Sequence, residues 1–482
     1  MFKMENASQK LKRIYTKLFA NPYIIFLLAF IILVLPSLIR GFDIHGQESY
    51  FYYRISNYII NNEIPSYDFL SFGGRAFLYN MGSILFLVLF NLLLKISIIN
   101  LLVFIPIILG FFSLLLFYLI LRDFKVTRTT SSFICYLFIL SPVFLYSFTH
   151  FTSFPIPLFL NLLGFYFVIK ERKIFHYLAF FVYIMLSFFD FIHILFALII
   201  IFFYLWKNKK LNRFIPYSVI ILLIIYLNNS FVHFGINIIN YKFYEYFSML
   251  GGEYGLSIFL VFMSFFGMAY LWKKKYKNTL YYLFFILNII MLILNIKYII
   301  YITLILSVLG AYGLKYLYQL KWDSIIIRDL TVIMLIAGVI FSGALFLVNS
   351  SERNPNSGVY NALIFIEDNT NPRDVILSHE KYGIYINSIS SRKNFVDINK
   401  AYAPRSELRF YYLKKIFYDK DLSNTLKLFE EFKITYIFIT PEMKNSLVWT
   451  NRNQGLLYLI DRNPEYFRLI YNQDGVEVWR VL

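Results

Sequence analysis

Apolar residues in this chain come in long blocks, and chains written this way fold in a lipid bilayer. Segments 23–39, 101–121, 192–206, 258–272 and 326–348 run about 15–23 residues with few charges. A hydrocarbon core of about 30 Å is crossed by about 20 helical residues at 1.5 Å each. One buried core cannot absorb so many blocks. The surface argument agrees: a water-facing exterior needs about 25–35% charged residues, and this chain has 15%, against 59% hydrophobic and 21% aromatic.

A net charge of +18 would ordinarily raise the question of nucleic acid, but its distribution answers otherwise. The basic residues cluster at 10–17, 122–128, 170–173, 207–213 and 273–277, in short links between apolar blocks. Lysine and arginine are retained on the cytoplasmic side during insertion, so the charge reports topology and no nucleic-acid partner is expected. The single cysteine, Cys135, lies within an apolar block and excludes an intrachain disulfide. The first apolar stretch lacks a small-residue cleavage site and reads as a retained anchor.

With the N-terminus cytoplasmic, 21–40 crosses outward, 41–97 forms a long external loop and 101–121 returns. Paired spans follow at 130–148 with 153–169, 174–190 with 191–206, and 214–232 with 255–272, each pair ending on a basic cluster. Spans at 279–297, 299–318 and 328–348 complete about eleven crossings and leave the tail extracytoplasmic. Residues 83–94 are apolar but too few to span, and counting them would reverse every later loop, so they read as an interfacial or re-entrant helix. The expected fold class is therefore a polytopic α-helical membrane protein. It is divided into a transmembrane domain at 1–348 and a small α/β or α+β domain at 349–482. In the latter, 374–378, 394–397, 435–440 and 476–481 read as strands, and 359–368, 405–418, 421–432 and 454–462 as helices.

On that topology the polar residues gather at the outer boundary. The first loop carries Asp43, His45, Glu48, Tyr50, Tyr52, Tyr53, Arg54, Asp68, Gly73, Gly74 and Arg75; further along come His150, Asp190, His193, His233, Glu245, Glu253 and Lys297. Loop ends carry polar residues as a matter of course, but ionisable groups near lipid are costly and mark function, and their one-sidedness points to a cavity opening outward. No phosphate-cradling glycine loop, zinc-type cysteine pair, His-Glu-x-x-His or Gly-x-Ser-x-Gly occurs.

The first loop reads Glu48-Ser49-Tyr50-Phe51-Tyr52-Tyr53-Arg54, then Ile64-Pro65, Asp68 and Gly73-Gly74-Arg75. It resembles the first external loop of GT-C membrane glycosyltransferases, above all the catalytic subunit of oligosaccharyltransferases and its archaeal relatives. Their pattern is Asp-Pro-Tyr-Tyr-His-x-Arg followed by Pro and a Gly-x-Pro turn. Glu48 stands at the family carboxylate, Tyr50 and Phe51 at the aromatic pair and Arg54 at the arginine, while Tyr52 replaces the histidine. The second-loop position, which in the family carries an acidic metal ligand, reads Ser147-Phe148-Thr149-His150 here. In the tail, Ser378-His379-Glu380-Lys381-Tyr382-Gly383 stands where relatives carry Ser-Trp-Trp-Asp-Tyr-Gly, and Arg392 and Asp397 match downstream. The acceptor-reading Trp-Trp-Asp is missing, which shifts the expectation from sequon glycosylation to the wider group that moves one sugar, with protein O-mannosyltransferases the nearest analogy.

The resemblance implies a transferase that takes a sugar from a polyprenyl-phosphate or -diphosphate carrier, in contact with membrane lipid. Glu48 is then the expected base or metal ligand, with Asp43 second. Arg54, Arg75 and Lys297 are the expected phosphate contacts, and Tyr52 and His150 further substrate contacts. The family's cofactor is a divalent cation, Mg or Mn, with Glu48 the candidate ligand, and the missing second-loop carboxylate weakens the expectation of a tightly held metal here. Two other classes fit a polytopic chain: a non-catalytic scaffold with the same fold, and a lipid or solute transporter, which would be expected to place its charges at the midplane.

Overall fold

The computed structural model describes residues 21–62, 64–170, 172–211, 217–218, 246–247, 255–273, 275–400 and 403–482. The basic cluster 10–17, most of the expected span 214–232, and His233, Glu245 and Glu253 lie outside them. The chain separates into two compact units. One falls within Met1–Asp43, Asn80–Ser83 and Leu102–Glu352, and the other within Ile44–Tyr79, Ile84–Leu101 and Arg353–Leu482. The second unit thus combines much of the first loop with the tail.

The first unit is helical. Helix α1 (Pro22–Ile39) opens on Asn21, whose side chain accepts the Tyr23 N–H at 3.1 Å, with Pro22 where no N–H is needed. The second unit follows with α2 (Gln47–Asn61), strands β1 (Tyr67–Asp68) and β2 (Arg75–Ala76), and the chain then runs through α3 (Gly82–Leu94) and α4 (Ile98–Asp123). Next come α5 (Arg128–Ile139), α6 (Pro142–Thr149), α7 (Pro155–Ile169), α8 (Lys173–Leu186) and α9 (Phe191–Lys207). After these stand α10 (Ile258–Trp272), α11 (Lys275–Leu294), a 3-10 turn at Ile296–Tyr298, α12 (Ile299–Gln319) and α13 (Ile325–Ser351). Among the described residues, α1, α4, α13 and the joined segment Ile296–Gln319 are long and apolar enough to cross a membrane, and α5 with α6 makes a fifth candidate.

That fifth candidate stands where 130–148 was expected to cross, and it is bent: α5 and α6 meet at 67°. The break has a local cause. Pro142 has no N–H with which to continue α5, and the Ser141 hydroxyl starts a new helix by accepting the Phe144 N–H at 3.2 Å.

Helices α10 and α12 approach more closely than side chains would permit. A Cβ on Gly267 would stand 2.0 Å from the Leu309 carbonyl oxygen, and one on Gly313 would stand 1.9 Å from that of Met263. Small residues at such a crossing let the backbones touch where no hydrophobic force drives helices together. Ser264 adds a bond across the pair, donating to the Leu306 carbonyl at 2.9 Å.

The second unit is built on a five-stranded sheet in the order β4-β3-β5-β7-β6. Its strands are β3 (Val375–Leu377), β4 (Lys393–Asn394), β5 (Ile434–Ile439), β6 (Phe467–Gln473) and β7 (Val476–Val481). β4, β3 and β5 run parallel, and β7 and β6 are antiparallel additions. Helices α14 (Ser357–Asn369), α15 (Glu380–Ile389), α16 (Ser406–Tyr418), α17 (Leu422–Phe432) and α18 (Gly455–Arg462) flank it. β6 and α15 were not among the expected elements. Tyr50 and Phe72 from the first loop are buried in this core, with Tyr50 edge-on to Tyr385 at 5.3 Å.

Candidate functional site

In the second unit, α2 carries the loop's motif. Gly46 precedes it at φ 80°, a left-handed turn that suits glycine, and Glu48 falls in the first helical turn, half-buried. A carboxylate there meets the positive end of the helix dipole. Tyr52 is buried, with its ring edge-on to Phe51 at 5.5 Å.

Arg54, one helical face further along, is spent on the loop itself. Its terminal nitrogens donate to both oxygens of Asp68 at 2.8 and 2.7 Å. Asp68 also accepts the Leu70 N–H at 3.1 Å and the Tyr79 hydroxyl at 2.9 Å. Burial by itself would push the Asp68 carboxyl up. The Arg54 hydrogen bonds and charge, joined by the Leu70 and Tyr79 donors, outweigh it and hold it at about 2. Arg75 is likewise committed: 2% exposed, it donates to the Asn399 carbonyl at 2.5 Å and lies over the rings of Tyr79 and Phe72.

Of the tail residues in the resemblance, Asp397 holds this loop in place, with Asn394 beside it. Asp397 accepts the Ser71 hydroxyl at 2.7 Å, the Asn394 amide at 3.0 Å and the Asn399 N–H at 2.8 Å. Asn394 in turn accepts the Phe72 N–H at 2.7 Å and donates its own N–H to the Leu70 carbonyl at 3.1 Å. Gly383 backs onto Val396 and Asp397. Arg392 closes the end of α14, donating to the carbonyls of Glu367 and Thr370 at 2.6 and 2.7 Å. In the motif replacing Trp-Trp-Asp, His379 caps α15 by accepting the Lys381 N–H at 3.2 Å, and Tyr382 and Lys381 both bond Glu442.

In the first unit, Lys297 sits in the 3-10 turn ahead of α12, and its ammonium donates to Asp190 at 2.9 Å. Beneath that pair the Tyr301 hydroxyl links α12 to α9 and α7. It meets His193 Nδ1 at 2.7 Å and accepts the Asn161 amide at 2.9 Å. Asp43 is exposed and within electrostatic reach of Arg40, as is the buried His150. Arg40 itself went unread in the sequence. Buried at the end of α1, it donates to the carbonyls of Thr149, at 2.8 Å, and Ser350 and so ties α6 and α13 to α1. An arginine closing an apolar block looks like any interfacial anchor, so nothing in the sequence separates it from one.

Among the described residues, no three His, Cys, Asp or Glu side chains gather as metal ligands. Mg favours about six oxygen ligands. The described donor set does not make such a site.

No protein-family model matches the chain, and no curated protein matches it in sequence. Solved structures do. The Archaeoglobus fulgidus oligosaccharyltransferase, solved in complex with zinc and sulfate, superposes with a TM-score of 0.61 at 15% identity, over 95% of this chain and 73% of that one. The archaeal oligosaccharyltransferase AglB from Archaeoglobus fulgidus, in complex with an inhibitory peptide and a dolichol-phosphate, gives 0.56 at 14% identity over 94% and 74%. ArnT from Cupriavidus metallidurans in the apo state gives 0.52 at 11% identity over 95% and 97%. At these identities the likeness shows the fold alone, the one this chain shares with these oligosaccharyltransferase and ArnT structures.

Proposed function

We propose that this chain is an integral membrane glycosyltransferase that moves a sugar from a polyprenyl-phosphate or -diphosphate carrier to an acceptor on the outer membrane face. The observation that carries the reading is the fold, shared over 94–95% of the chain with glycosyltransferases, one of them holding a dolichol-phosphate. The basic clusters support eleven crossings with the N-terminus cytoplasmic and the tail outside.

In this reading Glu48 takes the proton of the acceptor as the acceptor attacks the anomeric carbon. Asp43 is the second candidate base. The bond from that carbon to the carrier phosphate breaks, and its electron pair leaves on the phosphate oxygen. Lys297 meets the charge that develops there. Arg54 and Arg75, expected as phosphate contacts, are assigned instead to holding the loop, because Arg54 is bonded to Asp68 within it and Arg75 to the Asn399 carbonyl of the tail. Tyr52 and His150 are buried and are assigned to packing.

The test is reconstitution in lipid nanodiscs with a labelled polyprenyl-phosphate sugar. Acceptor- or water-dependent release of label is expected, falling by about 100-fold or more in Glu48→Gln, the range for loss of a general base. Binding without release would make the chain a scaffold. Movement of intact label across a vesicle would make it a transporter.

A further inference from the structure

The Asp190–Lys297 pair is arranged in a way that the transfer step alone does not require. Asp190 occupies the N-cap position of α9, where an aspartate ordinarily accepts backbone N–H groups, yet its side chain makes no capping bond. Its carboxylate reaches Lys297 instead, at 2.9 Å. The pair is partly open, with side-chain exposures of 41% for the lysine and 23% for the aspartate. Ion pairs this exposed are weak and exchange partners readily.

Breaking the pair need not move the helices. α9 and α12 are joined independently by His193 and Tyr301, and Asn161 of α7 bonds that same hydroxyl and the His193 carbonyl, the latter at 3.2 Å. His193, Tyr301 and Asn161 are all essentially buried. The lysine can change partner on a fixed frame.

We propose that Asp190 is a built-in competitor for Lys297, holding the ammonium in the resting protein and yielding it to the carrier phosphate as the sugar departs. The inference rests on the glycosyltransferase reading. Cleavage of the sugar–phosphate bond converts a phosphodiester into a monoester, whose second pKa of about 6 adds close to one negative charge at pH 7. Intact carrier meets a lysine already neutralised, and spent carrier presents the stronger anion. Lys297 therefore contributes more as the bond breaks than when donor binds, which is the condition for raising a rate rather than only an affinity. The carboxylate then competes for the lysine again and assists release of the spent carrier.

The experiment measures binding of a polyprenyl monophosphate to the full chain in nanodiscs. Asp190→Asn keeps a residue preferred at a helix N-cap and removes only the charge. It is expected to bind about two- to fivefold more tightly than wild type, the scale of an exposed ion pair. Lys297→Ala is expected to bind more weakly, and the double variant Asp190→Asn/Lys297→Ala to show no gain over Lys297→Ala. Asp190→Glu restores the partner and is expected to match wild type. If wild type binds, Lys297→Ala weakens binding and Asp190→Asn changes nothing, the inference fails and the transferase reading stands. A gain that survives in the double variant also overturns it. If wild type does not bind the lipid phosphate, the transferase reading falls and the inference with it.

Discussion

Arg54 grips both carboxylate oxygens of Asp68, at 2.8 and 2.7 Å, and side-chain exposures of 13% and 3% put the pair out of water. Removing one member of a buried pair strands the other. Arg54→Ala is expected to cost about 3–5 kcal/mol, read as a loss of thermal stability of the purified protein in nanodiscs. Loss of activity without loss of stability would return Arg54 to the list of substrate contacts.

The same pair sets an acid limit. The Asp68 carboxyl is held at about 2 in the folded chain, against about 3.9 in an unfolded one. Its stabilisation is therefore fully present above about pH 4 and is lost as pH falls toward 2. Thermal stability measured from pH 7 to pH 3 is expected to drop less steeply at the acid end in Asp68→Asn than in wild type.

Glycine inside a helix usually gains stability on replacement by alanine. Gly383 in α15 is expected to show the opposite sign, because a Cβ would stand 2.2 Å from the Val396 carbonyl oxygen and 2.6 Å from the Asp397 Cβ. Gly383→Ala is expected to destabilise by about 1–3 kcal/mol, the usual cost of overpacking. Thermal unfolding of the full chain checks the sign.

Arg392 spreads its guanidinium over five acceptors, adding the Thr370 hydroxyl at 2.8 Å and the Ser390 and Ser391 carbonyls at 3.0 and 3.5 Å to its two bonds at the end of α14. Arg392→Lys keeps the charge but not the planar fork. It is expected to lose nearly as much stability as Arg392→Ala, about 2 kcal/mol for charge-assisted bonds of this kind. Equal stability of the lysine variant and wild type would show that only the charge counts.

What could be read in the sequence follows from which residues announce themselves. Apolar blocks fixed most helices to within a few residues: 191–206 became Phe191–Lys207, and 83–94 became Gly82–Leu94. The tail strand at 435–440 stood out because Ile434–Ile439 is a run of β-branched and aromatic residues. β6 did not, since Phe467–Gln473 is largely exposed and mixes arginine, asparagine and glutamine into the strand. α15 was hidden by reading 378–383 as a motif, when its histidine is a helix cap. The Ser141-Pro142 break carried an ordinary helix-start signal that an apolar count overrides. Of the site, charged residues could be nominated but their partners could not. Asp68 lies 14 positions from Arg54, and Asp190 lies 107 from Lys297. No periodicity encodes pairings at such separations.

The bond from Ser71 to Asp397 joins residues 326 positions apart. A ribosome adding about 5–20 residues per second needs on the order of tens of seconds to cover that stretch. Throughout that interval the segment around Ser71 has been made, while the carboxylate that anchors it has not. During biogenesis the loop bearing Glu48 must therefore wait, immature, for the end of the chain, and any truncation before Asp397 leaves it without its clasp.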